Sequence, residues 1–224
     1  MPAALLILTI VLYAINKRVH HARPSVWLTP ALVTPAILIA ILVFAGIPYS
    51  TYLAGTRGLL WMIGPSTVAF AVPIYDNRRV IARHWRALAC GSVAGCIAAL
   101  GSSFALSELL RQSPEITHSM LARSISTPFA LAISPHIGGT RDLVAIFVIV
   151  TGLVGMTIGE LVLAVLPLKT QIARGAVFGA SCHAFGTAKA RQINEREGVI
   201  ASLVMMFSGV LMVLIAPLLG HVFA

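Results

Sequence analysis

The residues of this sequence that could bind a ligand stand where apolar segments are interrupted by glycine, proline and hydroxyl side chains. Proline is favoured at the first position of a helix, after a glycine, serine or threonine cap, so Gly64-Pro65 and Thr127-Pro128 predict helix starts within apolar sequence. Such starts leave backbone N–H groups unpaired at the positive end of a helix dipole, which suits an anion. The hydroxyl groups beside the two starts belong to Ser66, Thr67, Ser124, Ser126 and Thr127.

Arg123 supplies the cation that an anion site in apolar surroundings requires. Desolvating a carboxylate costs several kcal/mol, whereas a helix terminus contributes about 0.3–1 kcal/mol, so two or three helix starts fall short. A guanidinium binds a carboxylate in bidentate geometry, and Arg123 lies beside the second start, between Leu121 and Ile125. The alternative is that its long side chain extends to a membrane interface.

A third interruption contains Ser181, His183 and Thr187, which extend the predicted substrate site. Ionisable residues within a membrane segment are treated as functional candidates, so His183 is a candidate for coupling to H⁺ or Na⁺. The alternative is that its ring only bonds a backbone carbonyl. Glu160, in the apolar run 158–165, is the second coupling candidate; otherwise it is a solvated residue at a helix end.

Gly138-Gly139 complete the candidate site. A glycine pair before Thr140 indicates a turn followed by a helix cap, and it also lets the backbone approach a substrate closely. The three cysteines have neither CxxC nor metal-ligand spacing, so the sequence predicts no disulfide framework, no metal site and no cofactor.

The elements that must position these residues are membrane helices. Of the 224 residues, 58% are hydrophobic and 10% charged, and the mean hydropathy is +0.93, which excludes most soluble classes and disordered chains. Continuous apolar runs such as 144–150 differ from the alternating strands of a β-barrel. We predict an all-α polytopic membrane bundle with broken or re-entrant helices, made of N-terminal scaffold helices (1–57) and a transport-type core with interrupted helices (58–224).

Six or seven crossings fit the apolar segments. The expected spans and interrupted segments are 3–15, 29–47, 58–75, 85–110, 119–134, 143–166, 175–190 and 199–219. The sequence leaves open whether 119–134 and 175–190 span or re-enter. A broken helix persists in lipid only where protein buries it or where it lines a wet cavity, so the interruptions predict a cavity.

The net charge of +9 describes topology rather than a polyanionic partner. The basic residues lie between apolar runs, notably at 17–23 and 78–86, and the positive-inside rule places both loops in the cytoplasm. The N-terminus is then outside, and no nucleic acid is expected.

An internal echo predicts a repeat of the kind found in transporters with broken helices. Residues 64–70 and 179–185 share Gly, Ser, Ala and Phe at matching positions, and Ser126-Thr127 before Pro128 is similar to Ser66-Thr67. Chance is the alternative, because short motifs of small residues are common.

These blocks resemble the LrgB/CidB family of bacterial membrane proteins, which are called antiholin-like proteins or murein hydrolase regulators. The similar blocks, in order, are 28–30, 47–49, 64–75, 124–130, 137–139, 151–152 and 173–188. Three places depart from the family pattern, and one of them is 201–205, which replaces a Ser-Ser-Leu-Ala-Met run. Ala122-Arg123 replaces the usual Pro-Lys, and Glu160 stands where proline is common, which weakens its case as a general coupling acid.

The resemblance implies one of two functions. Some members are linked to control of murein hydrolases and cell lysis, beside a small LrgA/CidA-type holin-like partner, and others look like transporters of small monocarboxylates. We expect a secondary transporter of pyruvate, glycolate, glycerate or lactate, with the holin-like function as the alternative. No enzyme is expected, because neither GxSxG nor HExxH occurs. The expected setting is the bacterial inner membrane, with a homodimer by the commonness of two-fold oligomers.

Overall fold

The computed structural model describes residues 2–23, 25–69 and 71–223, which form helices joined by short turns. The chain divides into two units, 1–66 and 67–224. No strand occurs in the described ranges, so the predicted all-α fold is confirmed. The helices are α1 (Pro2–Ala22), α2 (Pro30–Phe44), α3 (Tyr49–Trp61), α4 (Ile63–Ala69), α5 (Ala71–Asp76), α6 (Arg78–Leu109), α7 (Pro114–Leu121), α8 (Thr127–Ile133), α9 (Arg141–Val165), α10 (Gln171–Ile193) and α11 (Glu195–Phe223), with a 3₁₀ turn at Val26–Leu28.

In the first unit, α1 packs against α2 and α3. The hydroxyl oxygens of Thr9 on α1 and Tyr52 on α3 are 3.2 Å apart, and the Asn16 amide donates to Thr34 Oγ1 of α2 at 3.0 Å. After α2 the chain turns at Gly46, whose φ of +62° is one that glycine adopts without steric cost. Polar side chains thus join the three helices to one another.

Apolar helices of spanning length confirm the predicted polytopic membrane bundle. Helices exceed some predicted bounds: α1 continues beyond residue 15 to Ala22, and α6 begins at Arg78 rather than Trp85. Charged residues continue these helices past the apolar part of each span. Within the described residues, five stretches are long and apolar enough to cross, namely Ala3–Ala22, Tyr49–Asp76, Arg78–Leu109, Arg141–Val165 and Glu195–Gly220, and the shorter α2 is also apolar.

Helices α7 and α8 form a re-entrant pair, which we call the first hairpin, with its tip at 122–126. The chain leaving α8 returns to α7. There the Thr140 backbone N–H donates to Ser119 Oγ at 3.1 Å, and the Thr140 hydroxyl donates to Glu115 at 2.9 Å. Segment 119–134 therefore enters and leaves at the same end of the bundle.

Helix α10 doubles back at His183, where φ is +41° and ψ is −126°, and we call it the second hairpin. In a straight helix, residues eight apart are about 12 Å apart. A Cβ added at Gly186 would nevertheless overlap the carbonyl of Phe178. The outgoing arm (171–182) runs parallel to α11 and the returning arm (184–193) runs antiparallel to it, as defined by the neighbouring pairs Gly175–Glu197, Gly179–Ala201, Thr187–Met205 and Gly198–Arg191.

The two hairpins enter the bundle from opposite ends. The first follows α6, and the second follows α9, which has crossed back. The eight residues of α7 extend about 12 Å and the outgoing arm of α10 about 18 Å, which together match the roughly 30 Å hydrocarbon core of a bilayer. Thus α6 is followed by the first hairpin and α9 by the second, and these two units have opposite orientations.

This pairing differs from the sequence echo. The first copy of the predicted echo, 64–70, precedes α6 and so lies outside the paired helix and hairpin units, and Phe70 itself lies outside the described residues. The pairing in the structure joins 78–133 with 141–193, in which the crossing helices and hairpins match by position along the chain.

Glycines let the second hairpin approach its neighbours closely, as is usual for helices packed in lipid. On α6, a Cβ added at Gly91 would lie 3.2 Å from Ala176, and one at Gly95 would overlap Ala180. The glycine-rich face of α6 therefore packs against this hairpin within the chain. Glycines of α9 do the same at Gly152, Gly155 and Gly159, facing Phe185, Cys182 and Phe178.

Candidate functional site

A groove of about 410 Å³ lies where the tips of the two hairpins meet α6. Most of its wall consists of glycine, alanine and valine side chains from α6 and from the outgoing arm of α10. The structure brings together three of the residues that the sequence predicted, Arg123 and Ser124 from the first hairpin and Ser181 from the second, and adds Ser102 of α6. The groove is thus small and apolar, with a few polar groups at one place.

Arg123 is held in this groove by serines of α6. Its Nε donates to Ser103 Oγ at 2.8 Å, and its Nη2 donates to Ser102 Oγ at 2.9 Å. The Ser103 hydroxyl in turn donates to the Met120 carbonyl at 3.1 Å, which leaves its oxygen free to accept from the guanidinium. Among the described residues no carboxylate forms an ion pair with Arg123. The side chain is therefore a fixed, partly buried cation without a paired anion.

The tip of the first hairpin follows from local sequence. Pro128 lies in the first turn of α8, where its missing N–H costs no helical hydrogen bond, so the helix start predicted at Thr127-Pro128 is confirmed. Ser126 precedes this helix in an extended conformation and is 2% exposed. Its hydroxyl is buried and has no hydrogen-bond partner within the described part of the chain. Ser126 thus lies beneath the tip rather than in the groove wall.

Ser102 and Ser103 were missed from the sequence. They lie on α6, about twenty residues before Arg123, among other serines of the same small-residue segment. Small residues indicate close helix packing but not which of them will meet a charged side chain. Ser102 and Ser103 can be identified only from the structure, in which the first hairpin packs against α6.

His183 forms the tip of the second hairpin and is buried. Its Nε2 lies 3.0 Å from the Val148 carbonyl of α9, and because a carbonyl only accepts, this nitrogen donates. Thr187 donates its hydroxyl to the His183 carbonyl at 2.9 Å. One of the two interpretations of His183 was a hydrogen bond from its ring to a backbone carbonyl, and the structure contains this bond. Its role in coupling stays a prediction.

Three other predicted residues do not line the groove. Gly138 has φ +76° and lies against His118, and Gly139 lies against the backbone of Ser119, so this pair forms the turn at the base of the first hairpin. Glu160 of α9 pairs with Lys189 of α10, Oε2 to Nζ, at 2.7 Å, and its side chain is 57% exposed. In the structure, then, Gly138 and Gly139 form a turn and Glu160 forms an ion pair.

The remaining predicted residues lie in α4, and three of them belong to the first unit. Gly64, Pro65 and Ser66 are exposed there, and Thr67 is partly buried. Helix α4 has Pro65 in its first turn, in agreement with the predicted helix start. The Ser66 hydroxyl donates to the Ile63 carbonyl of its own helix at 2.8 Å. Their part in a substrate site stays a prediction.

The comparisons with known proteins agree with the membrane bundle. The sequence profile of the LrgB-like family matches residues 9–222. This chain belongs to the LrgB-like family. A holin-like protein CidB of Staphylococcus epidermidis is 29% identical over 96% of this chain and 94% of its own length. YwbG, an uncharacterized protein of Bacillus subtilis, is 34% identical over 96% of this chain and 95% of its own, and an uncharacterized protein of Haemophilus influenzae is 37% identical over 83% and 80%.

No solved structure matches the chain.

In this LrgB-like protein a second buried polar contact between helices was also not predicted from the sequence. Glu197 at the start of α11 is 4% exposed, and its Oε1 accepts from Arg174 Nε of α10 at 3.2 Å. Both residues lie next to the ends of apolar segments, where charged side chains usually contact water, so the sequence does not indicate that they pair. Within the described residues no group of three His, Cys, Asp or Glu side chains could hold a metal ion.

Proposed function

We propose that this LrgB-like membrane protein binds a small monocarboxylate beside Arg123 and carries it across the bilayer. The observation that supports this proposal is the fixed guanidinium in a groove between two hairpin tips, without a carboxylate partner among the described residues. A buried cation is costly unless an anion pairs with it. The groove of about 410 Å³ falls within the size range of small-molecule sites.

The small lining residues set the size class of the substrate. Glycine and alanine at most wall positions leave room for a two- or three-carbon acid, and Ser102, Ser124 and Ser181 offer hydroxyl groups to a hydroxyl or keto oxygen. Pyruvate, lactate, glycolate and glycerate have this chemistry. Because the hairpins enter from opposite ends, withdrawal of either tip would open the groove to its own end. H⁺ and Na⁺ are the coupling ions to test.

A holin-like function is the second candidate, and the names of the relatives favour it. The CidB proteins of Staphylococcus epidermidis and Staphylococcus aureus are named holin-like, each 29% identical over 96% of this chain. In this function the protein acts on membrane permeability and murein hydrolases, beside a small LrgA/CidA-type partner. The setting in either case is the bacterial inner membrane, and a homodimer is the proposed assembly.

Reconstitution into liposomes separates the two functions. Transport predicts saturable uptake of labelled pyruvate, lactate, glycolate or glycerate, whereas a holin-like pore predicts passage of a large dye without saturation by these acids. We expect Arg123→Ala to reduce uptake about tenfold or more, because it removes a charged hydrogen-bonding partner of the anion. Arg86→Ala is the matched control, since Arg86 is an exposed arginine of α6 that does not line the groove.

The proposed site would be wrong if Arg123→Ala transported as well as the wild type. Arg123→Lys refines the test, because it keeps the charge but cannot bind a carboxylate in bidentate geometry. We expect it to retain part of the uptake. Passage of dye through vesicles that contain the protein, together with no saturable uptake of any acid, would support the holin-like function instead.

A further inference from the structure

A second cavity, of about 690 Å³, lies at the opposite end of the second hairpin from its tip. It forms where the start of α6 meets the two ends of α10 and the start of α11. Most of the side chains that line this cavity are basic or carry an amide: Asn77, Arg79, Arg83, His84, Gln171, Asn194 and Arg196. We call it the basic pocket.

The charge of the basic pocket is positive. Its lining has three arginines, and Glu195 is the single acid among the lining residues, so with His84 neutral the sum is three minus one, or +2. The ion pairs among the described residues are Arg174–Glu197 and Lys189–Glu160, and neither involves an arginine of the pocket. Arg79, Arg83 and Arg196 are exposed and able to bind an anion from solution or from the membrane surface.

The backbone shapes the pocket as well. His84 has φ −121° and ψ +20°, which interrupts the regular helix of α6 directly after Arg83. At the junction of α10 and α11, the Asn194 side-chain oxygen accepts from the Arg196 backbone N–H at 2.9 Å, which fixes the start of α11. The arginines thus come from two elements that meet at one place, the kinked start of α6 and the start of α11.

We propose that the basic pocket binds the phosphate group of an anionic ligand. Arginine binds phosphate in bidentate geometry, and the amides of Gln171 and Asn194 add further donors. A soluble phosphomonoester carries about −1.5 to −2 charges at neutral pH, and a phosphodiester headgroup such as that of phosphatidylglycerol carries about −1, so the positive lining attracts both. Basic pockets between membrane helices on the cytoplasmic side bind phosphorylated headgroups. The ligand is therefore the headgroup of an anionic phospholipid or a soluble phosphate ester.

This site is separate from the groove at the hairpin tips, and its binding does not depend on the proposed function. The pocket joins both ends of the second hairpin to the start of α6. A bound phosphate would therefore hold the base of this hairpin against α6.

The experiment measures binding by the full-length protein in detergent or nanodiscs. Phosphatidylglycerol is compared with phosphatidylcholine, and glycerol 3-phosphate is the soluble probe. We expect about a tenfold preference for phosphatidylglycerol over phosphatidylcholine, and the double variant Arg79→Gln/Arg196→Gln should abolish it. Arg86→Gln, an exposed arginine on the same helix outside the pocket, should keep it. Arg79→Lys/Arg196→Lys keeps the charge and should weaken binding less than Arg79→Gln/Arg196→Gln.

The outcome identifies the source of the phosphate. Preference for phosphatidylglycerol without binding of glycerol 3-phosphate supports a lipid headgroup, and binding of glycerol 3-phosphate supports a soluble ester. Equal binding of both lipids together with no binding of glycerol 3-phosphate would overturn the proposal. So would an equal loss of binding in Arg86→Gln and in the double variant, provided that all variants elute as the wild type does.

Discussion

At the scale of single residues, the two hairpin tips are fixed by basic side chains. Arg123 donates to two serines of α6, and His183 donates to the Val148 carbonyl of α9. Each tip is thus hydrogen-bonded to the crossing helix that precedes its own hairpin. A buried partner left without its hydrogen bond costs about 1–3 kcal/mol, so each tip is held in a defined position rather than only by apolar contact.

Replacement of His183 tests how the second tip is held. Its φ of +41° with ψ −126° favours glycine. Both His183→Ala and His183→Gly lose the ring hydrogen bond, but the alanine variant keeps the backbone strain and the glycine variant relieves it. We expect the glycine variant to be more stable than the alanine variant by about 1–3 kcal/mol in the free energy of unfolding, measured by denaturant titration in detergent.

His84 provides the matched position for this comparison. Its φ is −121°, where L residues carry no such strain, so His84→Ala should be at least as stable as His84→Gly. An alanine variant at His183 that is as stable as the glycine variant would show that the backbone there is not strained.

Part of the site follows from the sequence, and part depends on tertiary packing. Arg123 could be predicted because it is a single charge among apolar residues. The helix start at Thr127-Pro128 could be predicted because proline marks a helix start. Ser103 is not visible, since several small polar residues of α6 could equally have faced the tip. The interruption around His183 is predicted, but the residue at which the chain turns back is not, because neither glycine nor proline stands at this position.

At the scale of elements, the fold depends on how closely the second hairpin approaches α6 and α9. Re-entrant segments could be foreseen as interruptions of apolar sequence, but not their direction of return. Glycines at the contacts, such as Gly95 against Ala180 and Gly155 against Cys182, allow this close approach. Side chains at these positions would push the hairpin out of the bundle.

Two glycines of α6 offer a direct comparison. A Cβ at Gly95 would overlap Ala180, whereas one at Gly101 would meet no atom within 4 Å. We expect Gly95→Ala to lower the free energy of unfolding by about 1–3 kcal/mol through overpacking. Gly101→Ala should be neutral or stabilising by up to about 1 kcal/mol, since alanine is the better helix former. Equal effects in the two variants, measured by thermal unfolding in detergent, would argue against close packing at Gly95.

At the scale of the whole molecule, charge is distributed unequally between the two ends of the second unit. The end with the starts of α6 and α11 has arginines at 78, 79, 83, 174 and 196. At the other end, Arg111 and Arg141 are offset by Glu115 and Asp142. By the positive-inside rule we expect the basic end to lie in the cytoplasm, and this orientation stays a prediction.

Fusion reporters test this orientation. With crossings by α1, α2, the stretch 49–76, α6, α9 and α11, this orientation predicts that both termini lie outside the cytoplasm. Alkaline phosphatase fused after Ala224 should be active, and the same enzyme inserted after Arg83 should be inactive. Green fluorescent protein at the same two positions is the complementary control and should give the reverse pattern. An active phosphatase after Arg83 would show that the orientation is the reverse of the predicted one.

The pairing of one crossing helix with one hairpin has a consequence for how such a bundle arises. A hairpin that returns to its own end adds no crossing, so each helix and hairpin unit crosses the bilayer once. Because this number of crossings is odd, a tandem copy of the unit begins on the opposite side of the bilayer from the first copy. Duplication of such a gene segment would therefore yield two copies of opposite orientation, and the positive-inside rule then requires different loop charges in the two copies: arginines 78, 79 and 83 stand at the start of α6, whereas Arg141 at the start of α9 is offset by Asp142.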